Sequence, residues 1–118
     1  MFNLFKKTKR VKAQIIDQAT FVQEIINNKR PAIITFSAAW CGVCKMQKPL
    51  IDDLANTHKE SSVLVGFVDI DQERELSGQF SIKSIPTTMM FKGGEPVFKK
   101  SGLLSRGNLE QLITKIQK

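Results

Sequence analysis

The chain has few of the residues that staple or metallate a small fold. Its 118 residues include two cysteines, Cys41 and Cys44, and one histidine, His58. Two cysteines three positions apart cannot cross-link distant parts of a chain, which argues against a disulfide-built secreted scaffold. Structural zinc needs four ligands, and this set falls short, so no metal is expected. No apolar run approaches the length that crosses a bilayer. The start of the chain lacks the apolar stretch of a secretory signal, since Phe2, Leu4 and Phe5 run straight into Lys6 and Lys7, and a cytoplasmic location is expected. Internal repeats and low-complexity segments are missing. The length suits one domain with a single core.

Acid is absent from residues 1–16, which hold Lys6, Lys7, Lys9, Arg10 and Lys12. Those five account for most of the formal net charge of +7, leaving the remainder nearly balanced. Residues 1–12 therefore read as a basic arm ahead of a domain over 13–118. A solvated tail is the expected state of such an arm. Contact with an anionic membrane surface is its other use, since Phe2 and Phe5 sit among the lysines; nucleic acid is not expected as a partner.

What is present centres on Trp40-Cys41-Gly42-Val43-Cys44-Lys45. The apolar, β-branched run Ala32–Phe36 before it reads as a buried strand, and Leu50–Ala55 after it has helical spacing. The cysteines thus fall at a strand-to-helix junction, where three-residue spacing puts both sulfurs on one face. Unpaired N–H groups and the positive end of the helix dipole favour a thiolate at Cys41, and the thiolate is the attacking species in disulfide exchange. Two inert core cysteines are the competing reading, and Gly42 at a helix start makes poor surroundings for one.

Elsewhere, Val11–Ile16 can form an edge strand, and Thr20 with Gln23 resembles a capping box opening a short helix through Phe21, Ile25 and Ile26. The second helix is expected over Val43–His58, with a kink at Pro49. His58, near its end, suits packing or capping rather than chemistry. Val63–Val68 is apolar on both faces, as a central strand requires. Gln72–Phe80 reads as a short helix. Thr87–Phe91 and Val97–Lys100 flank the turn pair Gly93-Gly94, with Pro96 marking an edge strand. Ser105 opens a last helix with Leu109, Leu112, Ile113 and Ile116 on one stripe. The order is α/β: a central mixed β-sheet of four to five strands flanked by about four helices.

The motif W-C-G-V-C-K after a buried strand resembles the thioredoxin active site, with Val43 where that family usually has proline. Lys45-Met46, Pro49, Val68–Asp71, Ile85-Pro86-Thr87, Phe91–Glu95 and Gly102 follow in the family's order, so the resemblance spans roughly residues 13–118. It implies the thioredoxin fold and reduction of protein disulfides, with Cys41 as nucleophile and Cys44 as resolving thiol. No cofactor beyond the Cys41–Cys44 disulfide is implied; electrons would come from an NADPH-dependent flavoprotein reductase, and the protein would act as a monomer on disulfide-containing proteins. Trp40, Gly42, Val43, Ile85, Pro86 and Gly102 are the implied substrate-binding residues, with Trp40 shielding the sulfurs and the Ile85–Pro86 bond cis. A thiol oxidant or isomerase of the same fold, or a thioredoxin-like binding module, are the alternatives.

Three departures stand out. Thr35 occupies the place of a buried aspartate common in the family, Phe67 that of its nearby lysine, and Ser37 that of a second tryptophan. Losing both charges together is tolerable, whereas losing one is not. Thr35 cannot take a proton from Cys44 near neutral pH, so water or another group must. Val43, unlike proline, offers an N–H that can point at the Cys41 sulfur.

Overall fold

A strand apolar on both faces belongs inside a sheet covered on both sides, and Ala32–Phe36 sits there. In the computed structural model, which describes residues 9–118, that run is β2 (Ala32–Ser37), with all but its last residue buried. Parallel to it lies β3 (Leu64–Asp69), and beyond β3 the short β1 (Gln14–Ile15), also parallel. On the other side β4 (Thr87–Lys92) runs antiparallel, followed by β5 (Glu95–Ser101) at the edge. The sheet order is β1-β3-β2-β4-β5.

The helices cover both faces. α1 begins as Gln18–Thr20 and continues as a π-helical stretch, Phe21–Asn27; α2 spans Gly42–Thr57, α3 Arg74–Gln79 and α4 Arg106–Ile116. One core lies under α2 and α4, where Ile33, Phe67 and Met90 meet Leu54, Leu109 and Ile113. The other lies under α1 and α3, where Ile34, Phe36 and Val68 meet Phe21, Ile25 and Leu76. In the second core Phe91 stacks edge-on against both Phe21 and Phe80, with ring centroids 5.2 Å apart in each pair.

Several expectations are revised. The first strand is only Gln14–Ile15, and it lies so close to β3 at Gly66 that a Cβ there would meet Ile16 Cγ1 at 2.6 Å and Gln14 O at 2.8 Å. The capping box is not formed: Asp17 caps α1 by accepting the Thr20 N–H at 2.8 Å, and Thr20 is already helical. A carboxylate is the stronger acceptor at that position. α2 starts one residue earlier than expected, at Gly42, and otherwise follows expectation, running through Pro49 with His58 as its C-cap. β5 starts at Glu95, and a bulge between Met90 and Phe91 absorbs the extra residue beside Pro96. Gly93 and Gly94 close the β4–β5 hairpin at φ +63° and +85°, which glycine adopts without penalty.

Residues 1–8 of the basic arm lie outside the described residues. Residues 9–13 lie along α2. Arg10 pairs with Asp53, the Val11 N–H donates to Asn56 Oδ1 at 3.0 Å, the Ala13 N–H donates to Asp52 Oδ1 at 3.0 Å, and Lys59 Nζ donates to the Lys9 carbonyl at 2.9 Å. Among the described residues no helix is long and apolar enough to cross a membrane.

Candidate active site

β2 ends at Ser37, and four residues later the chain enters α2 with Cys41 as its N-cap, in extended backbone (φ −91°, ψ 114°). The Cys41 sulfur accepts the Cys44 N–H at 3.2 Å, taking up one of the donors a helix start leaves unpaired. That donor is Cys44, not Val43, so the extra N–H expected from Val43 does not reach the sulfur here. Cys41 and Cys44 form a disulfide, with Cα atoms 5.2 Å apart. Exposure barely separates the two, at 8% and 4%. Their places in the helix do: one heads it, and the other lies within its first turn.

The sequence-predicted residues gather at this end of the sheet. Ile85 packs with Ala38, Ile70 and both cysteines, its carbonyl oxygen 3.9 Å from Cys41 Sγ. The Ile85–Pro86 peptide bond is cis. The Gly102 N–H donates to the Pro86 carbonyl at 2.8 Å, joining the end of β5 to that loop. Gly42 and Val43 are exposed, and nothing lies within 4 Å of where a Gly42 side chain would start. Trp40 is 66% exposed, with its indole N–H donating to Asp71 Oδ2 at 2.8 Å. Among the described residues no three His, Cys, Asp or Glu side chains gather as a metal site would require.

Other residues that shape the site were not singled out from the sequence. Thr88 pairs with Thr35 across β2–β4, their hydroxyls 2.9 Å apart and fully buried. The position that departs from the family is thus satisfied by a neutral partner. Gln47, buried on the α2 stripe, donates to the Leu104 carbonyl at 3.0 Å and accepts the Leu104 N–H at 2.7 Å. A polar residue on an otherwise apolar stripe was the available signal. Ser37, one of the departures from the family, joins Ala38 and Ala39, which the sequence did not single out; all three are small and border a pocket of about 530 Å³ that has Cys44 in its wall.

A family model described as Thioredoxin matches residues 12–115. The thioredoxin of Porphyra purpurea is 39% identical over 103 residues, covering 87% of this chain and 94% of that protein. The bifunctional thioredoxin reductase/thioredoxin of Mycobacterium leprae is 31% identical over 94 residues, covering 80% of this chain and 20% of that protein. Among solved structures, Malassezia sympodialis thioredoxin superposes with a TM-score of 0.83 at 26% identity, covering 96% of this chain and 97% of that one. With the sheet, the helix-capping cysteine and the cis-proline loop agreeing, the chain belongs to the thioredoxin family, and its activity is that of a thiol–disulfide oxidoreductase that reduces protein disulfides.

Proposed function

We propose that Cys41 is the attacking sulfur and Cys44 the resolving one. The observation that carries this is the cap. Cys41 holds the N-cap of α2 and accepts the Cys44 N–H, so charge on its sulfur is stabilised by a hydrogen bond and the helix terminus. In the reduced protein the Cys41 thiolate attacks a substrate disulfide and expels one substrate thiolate, leaving a mixed disulfide. Cys44 loses its proton and attacks the Cys41 sulfur. The second substrate thiolate leaves with the bonding pair, and Cys41–Cys44 is restored. Two electrons pass from the protein to the substrate, whose two sulfurs take up protons. A substrate strand would lie across Trp40, Gly42 and Val43, with the backbone of Ile85 beside Pro86 as its edge partner and Gly102 at the rim.

Electrons would come from an NADPH-dependent flavoprotein reductase. The Mycobacterium leprae relative supports this partner, because its name joins thioredoxin reductase and thioredoxin in one protein. A cytoplasmic, monomeric carrier fits this reading.

The test is trapping. Cys44→Ser is expected to accumulate a covalent complex with protein substrates that reductant releases, while Cys41→Ser forms none. Faster alkylation of Cys44 than Cys41 in the reduced protein refutes the assignment.

A further inference from the structure

We propose that Lys48 is a positioning residue for the resolving step, its ammonium stabilising the Cys44 thiolate from the pocket beside it. This rests on the reading of Cys44 as the resolving thiol and extends it to the question left by Thr35, which cannot hold charge.

The placement follows from the helix. Lys48 comes one turn after Cys44, so the two share a face of α2 with Cβ atoms about 5–6 Å apart. Both line the pocket of about 530 Å³, together with Ser37 and Phe67. The Lys48 ammonium stands 5.3 Å from the centre of the Phe67 ring, where a cation is attracted to the aromatic face. It is fixed there by Asp52 a further turn on, whose Oδ2 accepts from Nζ at 2.9 Å. The Asp52 side chain is 13% exposed, so this brace is partly shielded, while Lys48 itself is 51% exposed. Phe67 thus displays on its ring a cation delivered by the neighbouring helix.

The other charges at the pocket are Lys45, Asp69 and Glu73. Lys45 is adjacent to Cys44 in sequence and so points off its face. Asp69 Oδ1 accepts the N–H groups of Asp71 at 2.8 Å and Gln72 at 3.3 Å. Glu73 Oε1 accepts the Gln18 N–H at 3.0 Å. Both carboxylates are occupied with backbone amides. The residues clustered with Cys44 besides Cys41, namely Ala38, Ile70 and Ile85, are all neutral. Lys48 is the cation that shares both the helix face and the pocket with Cys44.

In the mixed disulfide, the Cys44 thiol gives its proton to solvent in the pocket. Its sulfur then attacks Cys41, the bond from Cys41 to the substrate sulfur breaks, and the departing thiolate is protonated from solvent. Lys48 keeps its proton throughout and acts by charge alone.

The experiment is stopped-flow reaction of the reduced full chain with 2,2′-dithiodipyridine, an uncharged disulfide that releases one pyridinethione when Cys41 attacks and a second when Cys44 resolves. Lys48→Met is expected to leave the first phase unchanged and slow the second about three- to tenfold at neutral pH, moving its pH profile upward. Lys48→Arg is expected to restore the second phase. A second phase in Lys48→Met with the rate and pH profile of the parent overturns the proposal, as does a Lys48→Arg protein as slow as Lys48→Met. Survival of the first phase in Cys41→Ser would instead refute the assignment of the two sulfurs, and this inference with it.

Discussion

Replacing Thr35 by valine keeps the shape of the side chain and removes its hydroxyl. Thr35 and Thr88 are both fully buried, and each is the other's side-chain partner at 2.9 Å. The single substitution therefore strands the Thr88 hydroxyl away from water, at a cost of about 1–3 kcal/mol. Thr88→Val strands Thr35 and costs about the same. The double variant strands nothing, and exchanging both partners for apolar groups of like shape is close to neutral. The two changes should thus be strongly non-additive, with the double variant more stable than either single one. For a domain of this size each kcal/mol moves the melting temperature by roughly 4 °C. Each single variant is expected to melt about 4–12 °C below the parent, and the double within a few degrees of it. Thermal melts and urea titrations of the four proteins close the cycle. Additive losses would show that the two hydroxyls do not depend on each other, and the account of how this position dispenses with a carboxylate would fail.

Two further outcomes follow from particular bonds. Burial works against ionised Glu110, yet hydrogen bonds from Arg106 and His58, with the attraction of their charges, outweigh it and hold the carboxyl below its ordinary value of 4.5. A carboxyl with a depressed folded value contributes stability above its unfolded value and loses that contribution as pH falls through the folded one. Glu110→Gln should therefore melt below the parent at neutral pH, with the gap closing in acid; a gap that stays constant across that range would contradict it. Val43→Pro leaves the Cys44-to-Cys41 bond in place and stiffens the loop of the reduced form. A rigidified loop favours the closed disulfide by about 0.4–1 kcal/mol, so the reduction potential should fall by roughly 10–20 mV. Equilibration with a glutathione buffer measures it, and an unchanged or higher potential would refute the entropic argument.

The elements most legible in the sequence were those whose pattern has one physical solution. Ala32–Phe36 and Val63–Val68 are apolar on both faces, and only a doubly covered sheet buries such runs. Gly93-Gly94 between two strand-like segments pointed to the hairpin, and W-C-G-V-C-K to the site. What stayed hidden depended on partners distant in the chain. Thr88 looks like any strand threonine until β4 is set in register with β2, and Asp71 becomes the anchor of Trp40 only once the loop after β3 is folded. Asp17 competed with Thr20 for one cap, and local spacing did not decide between a carboxylate and a hydroxyl. The tether of Lys9–Ala13 on α2 is likewise made of pairings 39 or more residues apart, which no local pattern reveals.

Gln47 has a consequence beyond its own burial. Its amide holds both the N–H and the carbonyl of Leu104, as a neighbouring strand would. Two residues earlier, Gly102 holds Pro86, and the carbonyl of Ile85 lies beside Cys41. The redox helix, the segment before α4 and the proline loop are thus linked by hydrogen bonds, and packing of Ile85 against Cys41 brings the loop back to the helix, around the place where a substrate would land. An incoming peptide meets a rim that is already ordered. The entropy cost of binding would then fall mainly on the peptide, because the residues around the disulfide are already held by their own bonds.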